Sequence, residues 1–127
     1  MRLTWLLPLF LLTSPVSADV RRPLSPLTSE IVAASDVPLP DCGIAGTPGE
    51  LEAARSCVDA AVRNNRPFVI QFRMEGIDSV VWQAAIQLPS GRRMLLQHDS
   101  FGEGRITRET CQTFSFTDTL LPIGCEH

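Results

Sequence analysis

The chain has 127 residues, a net charge of −3 and four cysteines, and all 11 of its basic residues are arginine. That length holds one domain at most. The acidic balance, with no basic cluster larger than Arg21-Arg22 or Arg92-Arg93, argues against nucleic acid or an anionic membrane surface as the main partner.

The chain opens on Met1-Arg2, continues through an apolar run from Leu3 to Leu12, and reaches Val16-Ser17-Ala18. A positive start, a short apolar stretch and a small-x-small ending predict a signal peptide over 1–18, cut after Ala18. The run is shorter than a membrane span requires, and Pro8 interrupts it, so no stable span is expected after cleavage. No cysteine precedes Cys42 to take a lipid anchor. The expected location is therefore secreted or periplasmic, with 10 basic residues against 14 acidic ones giving −4 after Arg2 is lost.

Residues 19–41 contain Pro23, Pro26, Pro38 and Pro40 among small and polar residues, with no sustained apolar period. They predict a largely extended spacer, with at most a helical turn or two between Leu27 and Ala34. A small α+β domain is expected over 42–127.

Thr47-Pro48-Gly49-Glu50 is a helix start: Thr47 suits the cap, Pro48 the first helical position, and Glu50 the third position of a capping box. Leu51, Ala54, Val58 and Ala61 then recur at helical spacing, and Asn64-Asn65 with Pro67 ends the run. The spacing predicts one amphipathic helix over roughly 48–64.

After Pro67 the period falls from 3.6 to 2. Phe68, Ile70, Phe72 and Met74 alternate with Val69, Gln71, Arg73 and Glu75, which predicts a strand with its aromatic face inward. A second strand carries Val80, Trp82, Ala84, Ile86 and Leu88 inward, with Ser79, Gln83 and Gln87 outward. Pro89-Ser90-Gly91 turns it into a third strand, Arg92 to His98, with Met94 and Leu96 inward. A loop from Asp99 to Gly104 leads to a fourth strand, Arg105 to about Phe116. The predicted architecture is α+β: one amphipathic helix packed on an antiparallel meander of about four strands, stapled by disulfides.

An even cysteine count in a short exported chain reads as a disulfide framework. Four cysteines allow three connectivities. The expected pairing is Cys42–Cys57, pinning the loop before the helix to its middle turns, with Cys111–Cys125 tying the tail to the fourth strand. Each such bridge closes a loop of about 15 residues, worth ~3 kcal/mol in the chain-entropy description.

The run Glu75-Gly76-Ile77-Asp78, the loop Asp99-Ser100-Phe101-Gly102-Glu103-Gly104 and the later Cys111 resemble a family of small exported bacterial domains of unknown function, many of them lipoproteins. That family shows Glu-Gly-Asp-Pro-Ile after a strand and Asp-x-Phe-Gly-x-Gly after a hairpin. Cys42-Gly43 and Cys57 also look like its cysteine pair before and within the helix. The pattern departs at Ile77, where the family has Asp, and no Pro follows Asp78. The resemblance covers about 42–125 and implies a fold but no activity. A second, weaker likeness is to secreted subtilisin inhibitors, which also join a cysteine before a helix to one inside it. Cys111 and Cys125 do not reproduce the position of their second bridge.

Candidate chemistry is sparse. His98-Asp99-Ser100 contains the residue types of a hydrolytic triad, but three neighbours in sequence do not converge in hydrogen-bond order. Zinc binding wants close Cys or His pairs, and the cysteine spacings here are wide, so no metal and no cofactor is expected. Glu75, Asp78, Asp99 and Glu103 lie at loop ends, where paired carboxylates serve sugar hydrolysis if they face each other across a cleft; solvated loop charges are the simpler expectation. Phe101 is expected to tuck under the meander, the competing reading being an exposed anchor for a partner. The leading expectation is a non-enzymatic binding module for a protein or envelope component, inhibition of a hydrolase being one form. The alternatives are a small hydrolase or sugar-active enzyme using the loop carboxylates, and a structural surface protein. Glu75, Asp78, Asp99, Phe101 and Glu103 are the candidate binding-loop residues.

Overall fold

A computed structural model describes residues 25–117 and 121–127. Along them run α1 (Thr28–Ala34), β1 (Asp41–Ala45), α2 (Pro48–Arg63), β2 (Phe68–Glu75), β3 (Val80–Gln87), β4 (Arg93–Asp99), β5 (Ile106–Cys111), β6 (Thr113–Phe116) and β7 (Ile123–Glu126). The expected signal peptide over 1–18 and the spacer up to residue 24 lie outside the described residues. No helix among the described residues is long and apolar enough to cross a membrane.

The chain is α+β, with a five-stranded sheet ordered β1-β2-β3-β4-β5 and a separate hairpin β6-β7. The helix α2 forms where its start signal stands: the Thr47 hydroxyl accepts the Glu50 N–H at 3.4 Å, and Ala54, Val58 and Ala61 are buried. Strands β2 to β5 pair antiparallel in unbroken register. The expectation of about four strands in a plain meander is corrected at three places. β1 joins parallel to β2, so the sheet is mixed. A parallel neighbour needs a crossover, and α2 is that crossover. The long fourth strand breaks at Gln112 into β5 and β6, and β7 returns to pair with β6.

Both faces of the sheet are buried, and this overturns the predicted facing of β3. Residues directly opposite each other share a face. Phe68, Ile70 and Phe72 lie opposite Gln87, Ala85 and Gln83. Gln83 and Gln87, expected in solvent, are therefore on the α2 face and are 1% and 0% exposed. Trp82, Ala84 and Ile86 turn to the other face, with Val69 and Leu96. Met94 packs against that second cluster as well.

The α2 face is closed by α2 and by the hairpin. Phe114 packs edge-on to Phe68 with ring centroids 6.0 Å apart, and Phe116 to Phe72 at 6.5 Å. The Gln83 amide acts as a piece of backbone: its Nε2 donates to the Ile123 carbonyl at 3.0 Å, and its Oε1 accepts the Ile123 N–H at 3.4 Å. Gln87 Nε2 donates to the Arg66 carbonyl at 3.0 Å, and its Oε1 accepts from Arg93 Nε at 2.9 Å. Buried amides are tolerated only when so partnered.

The second face corrects the single-helix and spacer expectations. Residues 25–41 carry α1, and Leu27 is 0% exposed among Val69, Trp82, Ala84, Ile86 and Leu96. Ile31, Ala34 and Leu39 pack on the same cluster. A sheet that is apolar on both faces needs a cover on each, and this short segment supplies the second one. Its ends are tied by the Glu30–Arg108 ion pair to β5 and by the Val69 N–H to the Pro40 carbonyl at 2.9 Å.

Cys42 is bonded to Cys57 and Cys111 to Cys125, with Cα atoms 6.0 and 5.1 Å apart. The first bridge joins β1 to α2, and the second joins β5 to β7.

Candidate functional site

The topology gathers one end of the sheet. β1, β2 and β4 end there, β3 and β5 begin there, and α2 starts there after Gly46-Thr47. The two loops singled out in the sequence are thus neighbours in space. The β2–β3 turn is tight: the Gly76 N–H donates to the Ser79 carbonyl at 2.7 Å. This closure lifts Ile77 to the tip, where it is 102% exposed, with Asp78 exposed beside it.

The β4–β5 loop is held to β3 by Ser100, whose hydroxyl accepts the Val80 N–H at 2.7 Å while its own N–H donates to the Val80 carbonyl at 3.0 Å. Asp99 Oδ1 accepts the Phe101 N–H at 2.9 Å and turns the chain outward. Gly102 and Gly104 then adopt φ of +78° and +64°, a region that favours glycine. At Gly104 a side chain would also meet His98 Nε2 at 3.2 Å. The outcome is that Phe101 stands 71% exposed. This corrects the expectation that it closes the core.

The carboxylates are held by near neighbours. Glu75 pairs with Arg73 at 2.6 Å, and Glu103 with Arg105 at 2.7 Å. Asp99 serves the Phe101 N–H and Ser100 the Val80 N–H, so neither is directed to His98. His98 Nδ1 is buried and has no hydrogen-bond partner among the described residues. The His-Asp-Ser run is a strand-to-loop junction.

Beside the two tips lies an open groove of about 680 Å³ lined by Ile44, Thr47, Glu50, Arg73, Glu75 and Trp82. Its floor is aromatic, with the Arg73 guanidinium 5.8 Å from the centre of the Trp82 ring. A cation over an indole face is a favourable pairing that also fixes the arginine in place. Of the four loop carboxylates only Glu75 lines this groove. Ile44, 40% exposed, extends the apolar surface to its rim.

Sequence reasoning found the loops but missed Ile44, Glu50, Arg73 and Trp82. Arg73 and Trp82 meet across the β2–β3 pair, and Ile44 and Glu50 join them only through the parallel pairing of β1. Ile77 was visible as an apolar residue inside a Gly-Ile-Asp turn, a position where solvent exposure is the ordinary outcome.

Among the described residues one group has ligand-bearing atoms close enough for a metal: Glu109, Cys125 and His127, within 4.8 Å of one another. The Cys125 sulfur is committed to its disulfide, and Glu109 and His127 form an exposed pair at 3.3 Å. Two exposed ligands do not make a metal centre.

No protein-family model, no curated protein and no solved structure matches this chain.

Proposed function

We propose that this chain is an exported, non-enzymatic binding module that grips a protein or envelope component with the loop end of its sheet. The observation that carries the reading is the pair of hydrogen-bonded loops at one end of the sheet, each of which presents a large apolar residue, Ile77 or Phe101, to solvent. Large apolar residues standing out from closed, hydrogen-bonded loops have no role in the core of their own chain. Aromatic and aliphatic anchors of this kind supply most of the energy of protein interfaces, and the charges around them form the rim. Closed loops also lose little freedom on binding, which favours affinity. The rim here is Glu75, Asp78, Asp99 and Glu103 with Arg73 and Arg105, and the groove above Trp82 offers a pocket next to the anchors. Two disulfides fit an oxidising compartment outside the cytoplasm.

The test compares the native chain with the Ile77→Asp/Phe101→Asp double variant as baits on envelope and secreted fractions. A partner retained by the native chain and lost with the variant is the expected result. Retention of the same partner by both, or of none by the native chain, overturns the reading. If the retained partner is a hydrolase, an inhibition assay with the two baits shows whether binding blocks its activity.

A further inference from the structure

The two sheet edges differ. β1 is covered along part of its length by α2 and tied to it by Cys42–Cys57. Among the described residues, β5 is covered only at its end. The Ser100 N–H points to β3, so the odd-numbered residues of β4 turn their backbone groups to β5. Through the β4–β5 register, Gln97↔Thr107 and Leu95↔Glu109, the odd residues of β5 point back to β4. Ile106, Arg108 and Thr110 therefore aim their N–H and C=O groups outward. Gln112 continues this parity, and its N–H is taken by the Glu126 carbonyl at 2.8 Å. From Ile106 to Thr110 the edge faces solvent, with Thr107 to Thr110 all exposed. This stretch has no proline and no bulge, two of the devices that blunt a free edge.

We propose that this edge pairs with the same edge of a second copy, antiparallel, about a two-fold axis through Thr107. The charges select that register. An axis perpendicular to the sheet sets residues with a constant even sum opposite each other on one face. Centred on Thr107, Arg105 faces Glu109 of the second copy, Glu109 faces Arg105 of the second copy, and Ile106 lies beside the stem of Arg108. Centred on Arg108 or on Glu109, like charges face each other. Centred on Ile106, Glu103 faces Glu109. Like charges directly opposite disfavour pairing, which also removes the register centred on Arg105. Centred on Thr110 or Cys111, the ladder would need the Gln112 N–H, which the Glu126 carbonyl already holds, so one register is left. In that register the outward N–H and C=O groups of Ile106 and Arg108 meet their counterparts and complete the ladder. The present partners, Glu103 for Arg105 and His127 for Glu109, are exposed pairs that exchange readily. The product is a continuous ten-stranded sheet, with two copies of the loop end available for binding.

Sedimentation of the full chain at low and physiological salt tests this. The native chain is expected to sediment as a dimer, while Arg105→Glu and Glu109→Arg each sediment as monomers with unchanged circular dichroism. Mixed in equal amounts, the two variants place opposite charges across both contacts and are expected to form a mixed dimer. The double variant Arg105→Glu/Glu109→Arg is expected to dimerise on its own. A native chain that is monomeric at every concentration overturns the proposal. So do single variants that dimerise like the native chain, or a mixture that stays monomeric.

Discussion

The two faces of the sheet are buried by different means. The α2 face is covered by a capped 16-residue helix and a hairpin, joined across both disulfides and two buried glutamines. The opposite face is covered by a seven-residue helix and the chain around it, anchored by Leu27 and by the ion pair of half-buried Glu30 with exposed Arg108. The first cover is locked covalently and through buried hydrogen bonds; the second is held mainly by apolar contact, with the Glu30–Arg108 pair and the Val69–Pro40 backbone hydrogen bond beside it. A short helix is marginal by itself, so α1 exists because Leu27, Ile31 and Leu39 find Trp82 and its neighbours. Local unfolding is therefore expected to begin at α1, while the α2 face opens only with the whole domain.

Truncating one buried residue on each face tests this most directly. Phe72→Ala is expected to cost about 3–5 kcal/mol, and Leu27→Ala about 2–3 kcal/mol, because a short segment can settle into the space it leaves. Urea denaturation measures both; equal losses would mean that the two covers are equally integral. Replacing Cys111 and Cys125 together by Ser is expected to cost ~3 kcal/mol by freeing a loop of about 15 residues in the unfolded chain. That loss should register as a lowered melting temperature without a change in hydrogen exchange at α1. Gln83→Leu strands the Ile123 N–H and C=O beneath the hairpin and is expected to cost about 1–3 kcal/mol. Hydrogen exchange should then rise in β6 and β7 first, and a uniform rise would refute a docking role for the amide. Glu30→Gln, on the α1 face, is expected to cost less than about 1 kcal/mol, since the Arg108 partner stays open to solvent and such pairs contribute little. A larger loss by thermal melting would show that the ion pair, not Leu27, holds α1.

Much of the α2 face was legible in sequence. Thr47-Pro48 and the 3.6-residue recurrence of Ala54, Val58 and Ala61 are local signals, as is the alternation of Phe68, Ile70 and Phe72. β1 was not legible. It is short, it contains Gly43 at φ +93°, its register shifts between Asp41 and Ile44, and its partner is reached only through a helix. The facing of β3 was misread because alternation has a period but no absolute phase. Trp82, Ala84 and Ile86 looked like a single apolar stripe until a second cover supplied the other face. Gln83 and Gln87 read as solvent residues because their acceptors, the Ile123 and Arg66 carbonyls, are distant in the chain. The loop residues Glu75, Asp78, Asp99, Phe101 and Glu103 were found through turn chemistry. The outward stance of Phe101 was not, because it depends on which way the Asp99 cap turns the chain.

The sequence by itself determined the α+β class, the main helix, three strands of the sheet and the two loops, all of which follow from interactions between residues close in the chain. The tertiary structure decided the rest: which face of β3 meets α2, what covers the second face, and the groove that brings Ile44, Glu50, Arg73 and Trp82 together. Those outcomes depend on strand register and on partners distant in sequence, and a one-dimensional pattern carries neither.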